Sequence, residues 1–186
     1  MKFSIITVCY NSSRYIKDAM LSVLNQSYPD IEYIIIDGKS TDGTTDHIKE
    51  HEAAFNGRMR WISEKDNGLY DAMNKGIALA TGDVIGILNS DDYFYDKFVI
   101  EKIVKEFEGS SLDITIGDIV FVSSKNKLKT VRRYSAKKWN PKKFAWGYMP
   151  PHPSVFIKRE LFQKLGGYRT DYKIAADYEL LIRFLL

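Results

Sequence analysis

The chain has 186 residues, with 27 Lys and Arg against 24 Asp and Glu, for a formal net charge of +3. A hydrophobic fraction of 45% and a charged fraction of 27% exclude a disordered chain and suit a globular domain with a sizeable core. No apolar run approaches the roughly 18 residues that span a bilayer. The single cysteine, Cys9, excludes an internal disulfide and is consistent with a reducing compartment.

The first ninety residues alternate apolar runs with helical patterns. Met1-Lys2-Phe3-Ser4-Ile5-Ile6 is too short for a secretory signal and opens a buried strand over Phe3 to Cys9. Cys9 reads as a packed apolar residue rather than a nucleophile. Ile16, Ala19, Met20, Val23 and Leu24 follow helical spacing, and Asn11 or Ser12 is placed to cap that helix. Ile31 to Ile36 forms a second strand that ends at Asp37. Gly38 to Thr44 is a turn supplying a helix N-cap, with Asp42 shaping it. A polar helix to about Phe55 carries His47 and His51 into solvent, and a short strand follows over Met59 to Ser63.

Leu69 to Leu79 reads as a helix with Ala72, Met73, Gly76 and Ile77 on one side, and Val84 to Leu88 as the next strand. Tyr95 to Phe107 is a further helix with Phe98, Ile103 and Phe107 facing inward. This alternation predicts an α/β fold with a Rossmann-like, mostly parallel central sheet flanked by helices. After Ser110 the pattern changes. Ile114 to Val122 and Lys127 to Tyr134 read as strands of a small antiparallel hairpin turning at Ser123 to Asn126. Met149 to Pro153 is a rigid non-helical link, Val155 to Ile157 a short strand, and Arg159 to Leu165 a helix stopped by Gly166-Gly167. A last helix starts near Ala176. The apolar ending Leu180 to Leu186 has no glycine or polar cap, which reads as a chain cut inside or just after a helix.

Acids collect at the strand ends: Asp37 after the second strand, Asp66 in the loop after the third, and Asp91 with Asp92 in Leu88-Asn89-Ser90-Asp91-Asp92 after the fourth. In an open α/β sheet ligands bind beyond the carboxyl ends of the strands. One helix cap needs one carboxylate, whereas two adjacent carboxylates repel and call for a cation. The chain has neither Gly-x-Gly-x-x-Gly nor a P-loop, which argues against a dinucleotide dehydrogenase and a P-loop nucleotidase. A Mg²⁺ or Mn²⁺ held by few carboxylates can neutralise a diphosphate instead.

The sequence resembles the family 2 glycosyltransferases, which are inverting nucleotide-sugar enzymes of the GT-A fold. The similarity runs in order through Thr7-Val8-Cys9-Tyr10-Asn11, Ile35 to Thr44, Glu64-Lys65-Asp66-Asn67-Gly68, Ala78 to Asp83, and Ser90-Asp91-Asp92, which matches the DXD-type metal motif. The resemblance implies that Thr7, Tyr10 and Asn11 line the base pocket and that Asp37 bonds the nucleobase edge. Asp66, Asn67 and Gly68 would lie against base and ribose, Asp91 would hold ribose or sugar, and Asp92 would ligate the metal. Ile174-Ala175-Ala176-Asp177-Tyr178-Glu179 resembles the xED region, which makes Asp177 the general base and Glu179 its substitute. The chain departs from the pattern at Lys39, and at Ala176 where an acid precedes the base. Many GT-A enzymes also use a metal-ligating histidine farther on, which would fall beyond Leu186.

His152, held between prolines, is a candidate to line the donor diphosphate or the acceptor site. Residues 125–143 contain nine basic and no acidic residues, which leaves the remainder of the chain net acidic. Trp139, Phe144, Trp146 and Tyr148 follow, and aromatics beside cations suit a sugar, a lipid diphosphate or a membrane surface. Nucleic acid is disfavoured, because no recognition motif accompanies the charge.

The expectation is therefore one domain over 1–186, with a nucleotide-sugar half (1–110) and an acceptor half (111–186). Its donor would be a nucleotide-diphosphate sugar, UDP-linked by preference, and its acceptor a glycan or lipid-linked glycan of cell-surface polysaccharide synthesis. The expected location is cytoplasmic, with peripheral contact at the inner face of the membrane through 125–143. Two alternatives compete. A nucleotidyltransferase would need a glycine- and basic-rich loop after the first strand, where Tyr10-Asn11-Ser12-Ser13-Arg14 offers little. A non-catalytic nucleotide-sugar-binding module would bind donor without releasing UDP.

Overall fold

The computed structural model describes residues 1–123 and 126–186. A six-stranded sheet has the order β3-β2-β1-β4-β8-β5, formed by β1 (Phe3–Cys9), β2 (Ile31–Asp37), β3 (Met59–Ser63), β4 (Val84–Ile87), β5 (Ile114–Ile116) and β8 (Val155–Lys158). The first four strands in that order are parallel, and β8 runs antiparallel to both β4 and β5. Every residue of β1, β2 and β4 is buried, as expected for parallel strands covered on both faces.

Alternate residues of each strand feed two cores. Phe3, Ile5, Tyr33 and Ile35 pack with α1 (Ile16–Leu24), α2 (Thr44–Glu52) and α4 (Val99–Glu108). Ile6, Val8, Ile34 and Ile36 pack with α3 (Leu69–Leu79), α5 (Arg159–Leu165) and α6 (Ala176–Leu185). Gly76 lets α3 lie directly on the sheet, since a Cβ there would sit 2.4 Å from Ile6 Cγ2. The mostly parallel α/β sheet with flanking helices matches the fold expected from the sequence. Beside it, β6 (Ile119–Ser123) and β7 (Asn126–Tyr134) form a separate antiparallel pair. Of the expected turn at Ser123 to Asn126, Ser124 and Lys125 lie outside the described residues.

Four local readings change. Neither Asn11 nor Ser12 caps α1 with its side chain. Tyr15 holds the N-cap position, and the amides of Tyr15 and Ile16 bond the Ser12 carbonyl instead. The helix expected from Tyr95 begins at Val99, because Gln26 Nε2 and the Ser27 amide hold the Asp96 and Lys97 carbonyls in a bend. Its inner face is Ile100, Val104 and Phe107, while Phe98 is exposed. The single strand expected over Ile114 to Val122 breaks at Gly117-Asp118. Gly117 exchanges hydrogen bonds with Ser154, and Asp118 takes Arg133, Ser135 and Ala136, so the two pieces join different sheets. The link at Met149 to Pro153 is not wholly extended, since His152–Ser154 makes a 3₁₀ turn.

At the amino end of the strands, the nearly buried Glu32 collects the first and last turns of several elements. It accepts from Ser4 Oγ, the Thr81 amide (2.6 Å) and hydroxyl (2.7 Å) and the Gly82 amide (3.0 Å), and it pairs with Lys2 (3.0 Å) and Arg60 (3.1 Å). Burial acts to raise its pKa, but these hydrogen bonds outweigh burial and hold it at about 2, well below the usual glutamate value. A folded pKa below the unfolded one stabilises the native state fully above the unfolded value. That stability is lost as pH falls toward the folded one. The stability gap between wild type and Glu32→Gln, read from urea midpoints, should be widest at pH 5 and shrink steadily toward pH 3. A gap that stays constant over that range would show that the charge of Glu32 does not contribute.

Candidate active site

The strand register brings the carboxyl ends of three strands level. Cys9 pairs with Asp37, and Asp37 with Ser63. The Asp37 carboxylate joins them: it accepts from the Ser40 amide (3.0 Å), from Ser40 Oγ and from Ser63 Oγ (2.6 Å), with Cys9 Sγ at 3.6 Å. Burial and then the Asp37 charge push the Cys9 thiol far up, so it stays protonated as a packed donor.

From this knot the loops are laced outward. The Asn11 amide bonds Ser40 Oγ (2.8 Å), and Asn11 Oδ1 accepts from the Thr41 amide (2.9 Å). The Ser12 amide bonds Thr44 Oγ1 (2.8 Å), and the Ser13 amide bonds Asp42 Oδ2 (2.9 Å). Hydrogen bonds from Thr44 and Ser13 hold Asp42 below the usual carboxylate range, in keeping with its turn-shaping role. Ser12 Oγ lies 3.0 Å from Ser90 Oγ, which ties the loop after β1 to the loop after β4. Asn11 and Lys39 both adopt left-handed backbone, with φ of 50° and 65°, so two non-glycine residues are held in a costly conformation on this rim.

The structure distributes the expected donor residues unevenly. Tyr10 is 66% exposed, and Asn11 lies at the surface beside it. Gly38 sits between Tyr10 and Asp66, where an added Cβ would lie 2.7 Å from Asp66 Oδ2 and 3.4 Å from the Tyr10 ring. Asp66 Oδ1 accepts from the Gly68 amide (3.0 Å), and the Asn67 amide is held by Asp71 (2.9 Å), so Asp66-Asn67-Gly68 is a shaped turn entering α3. Gly68 needs its φ of 111° there. Thr7 differs from the expectation: it is fully buried and accepts from Tyr33 OH (2.9 Å), because its side chain points to the sheet face that bears Tyr33. Asp37 likewise has no exposed edge and acts on the rim through Ser40.

Beyond β4, Asp91 is exposed and Asp92 partly buried. Asn89 Nδ2 bonds Asp92 Oδ2 (2.9 Å), and the Asp92 amide bonds the Asn89 carbonyl (3.1 Å). Burial, with the Asp91 charge adding to it, raises the Asp92 pKa despite the Asn89 bond. Among the described residues no ion pair serves either acid, and no group of three or more His, Cys, Asp or Glu forms a cage. This donor set fits Mg²⁺ or Mn²⁺ bound through one or two carboxylates with substrate phosphates completing the shell.

Asp177 stands in the first turn of α6, whose N-cap is Ala175 at φ 67°. Tyr70 OH donates to Asp177 Oδ1 (3.2 Å), two residues into α3 from Gly68. The Tyr70 ring stacks on Tyr168 with centroids 5.7 Å apart. One turn along α3, Asn74 exchanges bonds of 2.8 Å with the Tyr168 amide and carbonyl. Tyr168 OH is 2.7 Å from His152 Nε2. Burial lowers the His152 pKa and the Asp177 charge opposes it, and the residue is partly buried. Glu179 accepts from Nε and Nη2 of Arg183 (3.0 and 2.9 Å), which leaves Asp177 as the acid available at this helix start. Trp146 is 81% exposed. The sequence reading missed Tyr70, Asn74 and Tyr168. They connect segments about a hundred residues apart, and no local spacing signals such a clasp.

Replacing Asp37 with Ala should cost about 2–3 kcal/mol in urea unfolding, because buried donors lose their acceptor. It should also open the rim, so that trypsin cuts after Lys39 faster than in wild type. Unchanged stability and cleavage would mean that the carboxylate does not hold the loops.

The sequence profile described as Glycosyl transferase family 2 matches residues 4–166. An uncharacterized glycosyltransferase of Mycobacterium tuberculosis is 33% identical over 185 residues, covering 98% of this chain and 68% of the relative. A PGL/p-HBAD biosynthesis glycosyltransferase of Mycobacterium bovis is 28% identical over 195 residues, covering 97% and 68%. The crystal structure of Staphylococcus aureus TarS 1–349 with UDP-GlcNAc superposes with a TM-score of 0.81 at 20% identity, over 100% of this chain and 53% of that one. The mannosyltransferase PcManGT of Pyrobaculum calidifontis, in complex with GDP-Man and Mn²⁺, gives 0.68 at 21% identity over 95% and 50%. The chain thus spans about half the length of these solved chains. With the profile covering most of the sequence, this protein belongs to glycosyl transferase family 2.

Proposed function

We propose that the protein is an inverting glycosyltransferase that moves a sugar from a nucleotide-diphosphate sugar, UDP-linked by preference, to a hydroxyl of a glycan or lipid-linked glycan. The observation that carries this reading is the pair Asp91–Asp92, without a cationic partner among the described residues, joined through Ser90 and Ser12 to the rim that bears Tyr10 and Asn11. Support comes from the TarS complex with UDP-GlcNAc, the PcManGT complex with GDP-Man and Mn²⁺, and the relatives named for PGL/p-HBAD biosynthesis. A role in cell-surface glycan synthesis is in keeping with the biosynthetic name of those relatives.

In this reading residues 1–110 hold the donor and residues 111–186 the acceptor. Tyr10, Gly38 and Asp66 flank the base, the Asp66–Gly68 turn lies along base and ribose, and Asp37 keeps that rim in place. Asp91 orients ribose or sugar, and Asp92, with Asp91 beside it, is the residue that would hold a divalent cation. Such a cation, when bound, offsets the charge of the departing diphosphate. Asp177 accepts the proton of the acceptor hydroxyl as the new bond forms from that oxygen to the anomeric carbon and the bond to the diphosphate oxygen breaks. Attack opposite the leaving group inverts the anomeric centre, through a transition state of oxocarbenium character. Tyr70 holds Asp177 Oδ1 and stacks on Tyr168, whose hydroxyl meets His152.

Two substitutions separate the roles. Asp92→Asn should weaken Mn²⁺-dependent UDP binding in calorimetry by at least about tenfold, as large as losing a supporting group around a metal. Asp177→Asn should leave UDP binding unchanged and lower UDP release, measured over a panel of UDP-sugars and glycan acceptors, by about a hundredfold to ten-thousandfold. Equal losses of UDP binding in both variants would contradict this division. Absence of UDP release from wild type across the panel would favour a binding module.

A further inference from the structure

The basic stretch 125–143 does not act as one surface. Toward its start, three of the described cations are engaged within the protein. Lys127 pairs with Asp18 on α1, Arg133 with Asp118, and Arg132 lies over the Phe121 ring. Further along, Lys137, Lys138, Lys142 and Lys143 make no ion pair among the described residues. These four flank and enter the 3₁₀ helix Pro141–Trp146. In that helix residues three apart share a face, which aligns Lys143 with Trp146 and Lys142 with Ala145. Phe144 alone turns inward and is buried.

The turn is built rigidly from beneath. Phe144 meets Trp139 at 5.2 Å and Tyr178 at 5.4 Å between ring centroids, both edge-on. Tyr178 OH donates to the Phe144 carbonyl (2.6 Å), and Trp139 Nε1 donates to the Tyr148 carbonyl (3.2 Å). This scaffold, with Phe144 buried at its centre, leaves Trp146 81% and Tyr148 63% exposed, close in sequence to the four lysines that lack an ion pair among the described residues. An exposed tryptophan forgoes the stabilisation of burial. Indole, phenol and ammonium side by side are the side chains that settle at a membrane interface, with the cations drawn to acidic headgroups. A neutral glycan would use the ring and leave the lysines without a partner.

We propose that the turn Lys137–Tyr148 is a docking surface for an anionic phospholipid bilayer, with Trp146 inserted at the headgroup level and Lys137, Lys138, Lys142 and Lys143 on the acidic lipid. Tyr178, the neighbour of Asp177, anchors the turn, so docking would set the start of α6 facing the bilayer surface. Only that last consequence rests on the proposed transfer reaction. The docking itself needs neither donor nor acceptor.

The test is flotation of the chain with phosphatidylglycerol–phosphatidylcholine vesicles against pure phosphatidylcholine vesicles, without nucleotide. Binding should require the anionic lipid and weaken with salt. Each Lys→Gln change among the four should reduce partitioning by about fivefold. Trp146→Ala should reduce it while leaving the thermal midpoint unchanged, since the side chain is exposed. Trp146 emission should shift to the blue on binding, a signal absent in Trp146→Phe. Lack of flotation with anionic vesicles would overturn the proposal. So would flotation undiminished in the lysine and Trp146 variants, or equal binding to soluble dextran sulfate with no contribution from Trp146. Because UDP release is measured separately, failure here and failure of the transferase reading are distinguishable.

Discussion

The structure depends on one buried carboxylate. Asp37 ends β2 at the level of Cys9 and Ser63, so its two oxygens can reach the neighbouring strands and the loop that follows. Taking a carboxylate out of water costs several kcal/mol unless donors replace the solvent. Ser40, Ser63 and the Ser40 amide do so, and in return they are fixed. The loops at this end of the sheet are laced beside that fixed point. Ser40 receives Asn11, Thr44 receives Ser12, and Ser12 meets Ser90 ahead of Asp91 and Asp92.

The two ends of the parallel strands solve opposite electrostatic problems. At the amino end Glu32 is surrounded by hydroxyls, amides, Lys2 and Arg60, and its charge is fully satisfied. At the carboxyl end Asp91 and Asp92 meet one amide side chain and each other, and their charge is left uncompensated among the described residues. The satisfied end stabilises the fold, and the unsatisfied end is the one to which the proposed function assigns the ligand. This polarity is the general one for open α/β sheets.

Much of this was legible in the sequence, because the signals are local. The bounds of β1, β3, α3 and α5 follow from apolar runs and from the punctuation of Gly68 and Gly166-Gly167. The Asp91–Asp92 pair stands out because two adjacent acids follow shortly after an apolar strand. What was not legible depends on contacts between distant segments. The break at Gly117 is made by Ser154, and the bend before Val99 by Gln26. Thr7 was assigned to the pocket by its place in a motif, yet strand alternation turns it toward Tyr33. Tyr70 reaches Asp177 across 107 residues, and only the packing of α3 against α6 and the Tyr168 loop shows that it can. Glu179 and Arg183, four residues apart on one helix, were within reach of sequence reasoning, since that spacing favours an ion pair.

In the proposed function, the carboxyl ends of β1 to β4 form a single nucleotide-diphosphate and cation platform. Titrating the isotope-labelled chain with UDP and then Mn²⁺ tests it most directly, because the paramagnetic ion broadens amide signals according to distance. The account predicts UDP-induced shifts at Tyr10, Asn11 and Asp66 to Gly68, with Mn²⁺ broadening centred on Asp91 and Asp92. Shifts and broadening centred on Lys2, Glu32 and Arg60, at the opposite end of the strands, would contradict it.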